Sequence, residues 1–554
     1  MMLTGAEILV KVLIERGVDT VFGYPGGTVL NIYDELYKNS DKIRHYTTCH
    51  EQGAAHAADG YARVTGKTGV VIATSGPGAT NLVTGIANAY LDSTPLVAIT
   101  GNVATTLLGK DSFQEVDISC VTMPITKHNY LVKDVAKLAG TAREAFDLAS
   151  SGRPGPVLID ITKDVQMDVT QFEPESDFKP NHAEKPISLE KLEEAVRLIS
   201  EAERPYIYCG GGVVSSNASS ELVALADRID APVGLSIMGL TAVPYSHPRF
   251  LGMVGMHGLY AATKALYESD LIIAVGTRFS DRATGNKAEF SKGKKIIQIE
   301  IDPAEIGKNI GVNASIIGDV RCVLKKLVAM LQPQSRPVWS ERVREIKNHP
   351  NNSLEMDSRL LTPQSVIQGA YLRMGDNAVA TDVGQHQMWT AQYYQFKKPR
   401  SFVTSGGLGA MGFGMGAAIG ACIGSGFKRT LLFTSDGSFH MNMNELATAV
   451  SGRLSLIVIV LNNSVLGMVR QWQTLFFDGR YSSTSLERQT DFVKLAEAFG
   501  ARGMRAETNE EYEACLDEAF KCDTPVLIDC IIDKDEMVLP MIPPGGSIND
   551  IILR

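Results

Sequence analysis

Residues 431–442 read LLFTSDGSFHMN, and residues 454–464 read LSLIVIVLNNS. Each opens on a short apolar run and closes on polar side chains, Asp436 in the first and Asn462–Asn463 in the second. Runs apolar on both faces belong to parallel strands covered by helices on both sides. In such a sheet ligands bind at the carboxyl ends of the strands. Asp436 and Asn463, 27 residues apart, therefore face one crevice if their strands lie close together. A carboxylate, an amide oxygen and a loop carbonyl form the hard, oxygen-only environment magnesium prefers, with positions left for phosphate oxygens. Gly437 and Ser438 add free backbone N–H groups suited to an anion. Alone, Asp436 reads as a helix cap and the asparagines as a turn. Together they specify a site.

The same alternation runs through the chain. GVVIAT (69–74) and PLVAIT (95–100) read as strands flanking a helix over 79–92, and LIIAVG (271–276) repeats the strand pattern. Two polar, proline-bearing stretches, 166–186 and 332–363, interrupt it and read as linkers. The expectation is an α/β protein of three doubly wound domains with mainly parallel sheets, over 1–165, 187–335 and 361–554.

The net charge of −9 carries no long basic run, which argues against nucleic-acid or membrane-surface partners. The eight cysteines are scattered without a CxxC pair, as in a reducing compartment. The N-terminus goes straight into an amphipathic pattern, and no apolar run approaches the roughly 18 residues of a membrane span. A cytoplasmic protein is expected.

An Asp-Gly pair followed by NN resembles the cofactor motif of thiamine-diphosphate enzymes, with Ser435 at the motif's usual first glycine. A serine there costs little unless the backbone needs positive φ. The matching acid is Glu51, in HYTTCHEQGAAHAADGYARVTG (45–66), at a junction of strand and helix. A sheltered carboxylic acid of raised pKa suits protonation of the aminopyrimidine ring. An exposed first-turn glutamate is the plainer alternative. His50 and His56 are six apart and cannot share a helix face as HExxH zinc ligands do.

Ten motifs in order then extend the resemblance to acetolactate synthase catalytic subunits over nearly the whole chain. They are GYPGG (23–27), TSGPGATN (74–81), SFQE (112–115), SGRPGPV (151–157), GMHG (255–258), FSDR (279–282), GQHQMW (384–389), SGGLGAMGFG (405–414), NNSVLGMVRQW (462–472) and LPMIPPGG (539–546). The resemblance implies decarboxylation of pyruvate on thiamine diphosphate. Its two-carbon unit is then ligated to a second pyruvate, giving 2-acetolactate, or to 2-ketobutyrate, in branched-chain amino acid biosynthesis.

Carried over by position, Glu51 activates the cofactor, and Asp436, Asn463 and the backbone of Val465 hold Mg2+. Gln385, His386, Gly409, Ala410, Met411, Gly437, Ser438, Leu466, Gly467 and Met468 surround thiamine diphosphate, with Met411 wedged beneath it and Gln114 reaching toward it. A structural FAD is implied in the central domain at Ser93, Arg153, Gly212, Met256, His257, Gly276, Arg278, Asp281, Arg282, Glu300, Ile301, Asp319 and Val320. Arg282 is implied to bind the carboxylate of the second ketoacid, Trp472 to shape the pocket that favours an ethyl group, and Lys163 to line the channel. Read singly, Arg282 pairs with Asp281 at the surface, and Met411 and Trp472 are core residues. A homodimer or homotetramer is implied, with a possible small regulatory subunit. FAD-free catabolic acetolactate synthase and other thiamine-diphosphate decarboxylases or carboligases stay open as alternatives.

Overall fold

The computed structural model describes residues 1–175, 186–352 and 361–553. Three six-stranded sheets, each parallel throughout, form three helix-covered layers along the chain. The apolar runs read from the sequence become the strands Gly69–Ala73, Leu96–Asn102, Leu271–Val275 and Leu456–Asn462. The helical pattern between the first two becomes a short helix, Pro77–Asn81, and a longer one, Val83–Asp92. All eight cysteines are free. No helix among the described residues is long and apolar enough to cross a membrane.

The stretches read as linkers are more structured than their composition indicates. Val169–Gln171 pairs antiparallel with Met2–Thr4, so the first unit's last strand lies beyond residue 165. Pro337–Lys347 is a helix that buries Trp339, Val343 and Ile346 against the central domain, with Trp339 Nε1 donating to Pro205 O at 3.0 Å. Its apolar residues recur at helical spacing, which the flanking prolines mask. Residues 176–185 and 353–360 of those stretches lie outside the described residues.

The elements that build the site are seven helices and three strands. The helices are α1 (Glu51–Thr65), α2 (Val83–Asp92), α3 (Gln385–Tyr393), α4 (Phe413–Gly424), α5 (Asp436–Asn442), α6 (Glu445–Ser451) and α7 (Gly467–Phe476). The strands, neighbours in the last sheet, are β1 (Val379–Thr381), β2 (Thr430–Ser435) and β3 (Leu456–Asn462).

Helices α1 and α4 fasten the first domain to the last. A β-carbon on Gly60 would lie 2.2 Å from Ala417 O, and one on Gly420 would lie 1.8 Å from Ala57 O. Small residues thus let two backbones touch, and one continuous core runs from Val71 and Ala98 to Leu432 and Val458.

Candidate active site

The parallel register explains the opening motif. Ser435 pairs with Leu461, so β2 and β3 release Asp436 and the Asn462–Asn463 pair side by side at one sheet edge. Ser435 has φ −126° and caps α5, its Oγ accepting from Ser438 N at 3.4 Å. The backbone asks for no glycine there, so the departure from the motif carries no strain. Asp436 is buried, and its Oδ1 has no hydrogen-bond partner among the described residues. Burial pushes its carboxyl up to about 6. A buried carboxylate oxygen without a donor is destabilising unless a cation meets it.

Around it, Asn463 Nδ2 approaches Gln385 Oε1 at 3.5 Å, and Asn463 Oδ1 accepts from Val465 N at 3.3 Å. Gln385, His386, Met411, Asn463, Val465, Leu466, Gly467 and Met468 line a cavity of about 70 Å³. The N-termini of α3 and α7 open on it, the arrangement that favours a diphosphate. Gly467 leaves room for the Gln385 side chain, since a β-carbon there would lie 1.9 Å from Gln385 Oε1 and displace it. Ser438 Oγ donates to Val383 O at 2.8 Å, and Gly437 sits between Leu466 and Met411. His386 is buried with Nε2 unpartnered among the described residues, and burial pushes its pKa down to about 3. These residues fit a magnesium diphosphate.

The loop carrying Gly409 and Met411 is held from the first domain. Ser405 Oγ accepts from Gly409 N and Ala410 N, both at 3.0 Å, and donates to Asn88 on α2 at 2.5 Å. Asp92 accepts from Gly406 N and Gly407 N, while Arg63 on α1 donates to Thr404 O.

Glu51 opens α1, immediately after His50, whose Nδ1 caps Gln52 N at 3.1 Å. Its Oε2 accepts from Asn81 Nδ2 at 2.9 Å, and its Oε1 lies beside Gly78. Gln114, at φ 59°, packs against the same 74–78 turn at Gly76. Phe113 beside it is 87% exposed. Lys163 is exposed at the start of a short helix, Lys163–Met167. Glu51, Gln114 and Lys163 line neither the small cavity nor the cleft described next, and Ala410, Asp436, Gly437 and Ser438 lie behind the lining rather than on it.

That cleft, of about 1210 Å³, runs between the domains. It exceeds the roughly 300–1,000 Å³ of an ordinary small-ligand pocket and so has room for a dinucleotide. Ser93, Arg153, Gly212, Met256, His257, Gly276, Arg278, Asp281, Arg282, Glu300 and Ile301 all line it. Gly212 and Gly276 meet backbone to backbone, a β-carbon on Gly212 falling 2.7 Å from Gly276 Cα. Buried Glu300 accepts from Ile301 N at 2.9 Å, and Arg153 pairs with Glu305 at 3.0 Å. The cleft fits a flavin dinucleotide. Asp319 and Val320 are not on its lining; Asp319 caps the helix Val320–Met330 through Cys322 N.

Arg282 and Trp472, from different domains, meet at this cleft: the guanidinium lies 5.7 Å from the indole centroid. The surface pairing of Arg282 with Asp281 is also present, at 3.7 Å. Val383, Gly384 and Met468 line both the small cavity and the cleft, so the two adjoin.

Sequence reading missed three supports. Asn81 lies inside a quoted motif, but its partner Glu51 is 30 residues away and no acid stands near it in sequence. Asp382 follows β1 as Asp436 follows β2, and accepts from Gly412 N at 2.8 Å. Gln471 receives Gln385 Nε2 at 3.1 Å, and nothing in its sequence surroundings marks it.

Comparison with known proteins agrees with this geometry. Three thiamine pyrophosphate enzyme models match in order: the N-terminal TPP binding domain at residues 3–121, the central domain at 192–327 and the C-terminal TPP binding domain at 382–530. The chain is 45% identical to a probable acetolactate synthase large subunit of Methanocaldococcus jannaschii, over 99% of this chain and 95% of that one. It is 46% identical to the acetolactate synthase large subunit of Corynebacterium glutamicum, over 99% and 90%. The acetolactate synthase of Mycobacterium bovis is likewise 46% identical, over 99% and 91%. Matched by these models in order and by these relatives over almost its whole length, this protein belongs to the acetolactate synthase large-subunit family of thiamine pyrophosphate enzymes.

Proposed function

We propose that this chain joins two 2-ketoacids. It decarboxylates pyruvate and ligates the two-carbon unit to a second pyruvate, giving 2-acetolactate, or to 2-ketobutyrate, giving 2-aceto-2-hydroxybutyrate. The observation that carries ligation over simple decarboxylation is Arg282 lying 5.7 Å from the Trp472 ring centroid on the cleft that adjoins the small cavity. A decarboxylase has no second carboxylate to bind; a ligase does, and a guanidinium pairs with it through two parallel hydrogen bonds.

Bound thiamine diphosphate supplies the electron sink that decarboxylation needs. Asp436, Asn463 and the Val465 carbonyl would hold its magnesium, and Gln385, His386, Gly409, Met411, Ser438 and Met468 would contact the cofactor. Asn81 donates to Glu51 Oε2, which leaves Oε1 as the oxygen that would exchange a proton with the cofactor ring. Glu51 lies in the first domain and Asp436 and Asn463 in the last, and we read the site as completed by a second copy, hence a homodimer or an assembly of dimers. FAD fits the cleft through Gly212, Gly276 and Glu300, and plays a structural part because ketoacid ligation involves no net redox change. The relatives named large subunits support a separate small regulatory subunit as partner, and the reading places the protein in the cytoplasm.

Product analysis tests this. With thiamine diphosphate and Mg2+, pyruvate alone should give acetolactate, and added 2-ketobutyrate should give the longer homologue. Acetaldehyde as the main product would contradict ligation. The purified protein should be yellow, and Gly276→Val should yield colourless protein, since a side chain there collides with Gly212 and the backbone has φ 54°. For specificity, Trp472→Leu should lower the preference for 2-ketobutyrate over pyruvate about tenfold or more in competition assays, the scale of one methylene's contact at about 1–3 kcal/mol. An unchanged product ratio would remove Trp472 from the pocket.

A further inference from the structure

Glu445 begins α6 in the last domain, nine residues after Asp436, and is completely buried. Its carboxylate does not face its own domain's cavity. It reaches the first domain instead, where Oε1 accepts from His50 N at 2.9 Å and Oε2 from Cys49 N at 3.1 Å. Thr448 Oγ1 donates to Oε2 at 2.6 Å and Asn444 Nδ2 to Oε1 at 3.3 Å, so both oxygens are fixed. These bonds to an ionised acceptor are about twice as strong as neutral ones. The fit depends on Gly53 in the first turn of α1, where a β-carbon would lie 2.3 Å from Oε1.

Cys49 and His50 are the two residues ahead of Glu51. Their N–H groups precede the first turn of α1 and find no partner inside the helix. Without Glu445 the backbone that carries Glu51 would lose the acceptors of these two N–H groups, and the carboxyl would shift with it. Burial raises the Glu445 carboxyl above its ordinary range, while the Thr448, Cys49 and His50 donors lower it.

We propose that Glu445 is a positioning residue for Glu51: by clamping Cys49 and His50, it sets where the activating carboxyl sits. The role rests on the activation assigned to Glu51, so both are read in one experiment. Exchange of the reactive thiazolium proton of bound thiamine diphosphate for deuterium is followed by NMR, alongside kcat and KM for pyruvate, in Glu51→Gln, Glu445→Gln and Gly53→Ala. Glu445→Gln keeps shape but turns one acceptor into a donor facing an N–H. Gly53→Ala keeps the carboxylate and displaces it, so it reads the same geometry if Glu445→Gln fails to fold.

In both variants exchange and kcat should fall together by about 10- to 100-fold, the scale of a roughly 1 Å misplacement. KM for pyruvate and half-saturating thiamine diphosphate should stay within about twofold, since the binding groups are untouched. Wild-type exchange in a folded Glu445→Gln or Gly53→Ala protein overturns the proposal, as does a raised KM with exchange unchanged. If Glu51→Gln itself keeps wild-type exchange, the activating role fails and the clamp's role with it. If Glu51→Gln loses exchange while Glu445→Gln keeps it, the clamp alone is refuted.

Discussion

Glu51→Gln should leave the protein folded and lower acetolactate formation by about a hundred- to ten-thousandfold, the usual worth of a placed acid–base group. Glutamine keeps the size of the side chain and still accepts from Asn81 at the former Oε2 position. What it lacks is an acidic proton at the other atom. The loss should fall on kcat, with KM for pyruvate little changed, if Glu51 activates the ring as proposed and does not bind the ketoacid. Unaltered turnover in a correctly folded variant would assign activation to another group.

Asp436→Ala should be the second large lesion, and of a different kind. Half-saturating concentrations of Mg2+ and thiamine diphosphate should rise about a hundredfold or more, since the anionic ligand of a magnesium diphosphate is gone. The apoprotein should not suffer. Asp436 is raised from an ordinary carboxylate value to about 6, so in the apo state its ionised form is destabilising. That cost is absent below the ordinary value near 4 and complete above about 6. The apo variant should therefore melt higher than the apo wild type at pH 8, with the gap closing toward pH 4, as scanning calorimetry at several pH values would show. A lower melting temperature at pH 8 would mean that the carboxylate has a partner in the apoprotein.

The strand ends were legible because two independent rules meet there. Buried parallel strands read as continuous apolar runs, and ligand groups follow their carboxyl ends. Asp436 and Asn463 satisfied both, and the register of β2 with β3 explains why their spacing works. The helix Pro337–Lys347 was masked by flanking prolines, although Trp339, Val343 and Ile346 keep helical spacing. Glu445 was illegible for another reason. Its partners are backbone N–H groups 395 and 396 residues away, and no local pattern marks an acceptor whose donors belong to another domain. The same holds for Arg282 and Trp472, which only tertiary structure brings within 5.7 Å.

The most direct measurement is complementation between the two damaged chains. Glu51→Gln and Asp436→Ala proteins, each nearly inactive, are co-expressed or mixed under exchanging conditions and assayed for acetolactate. If every site takes its acid from one copy and its magnesium carboxylate from the other, half of the dimers are mixed and each carries one intact site. About a quarter of wild-type activity should then return. If each site is built within a single chain, every site keeps one lesion, and activity stays at the level of the separate variants.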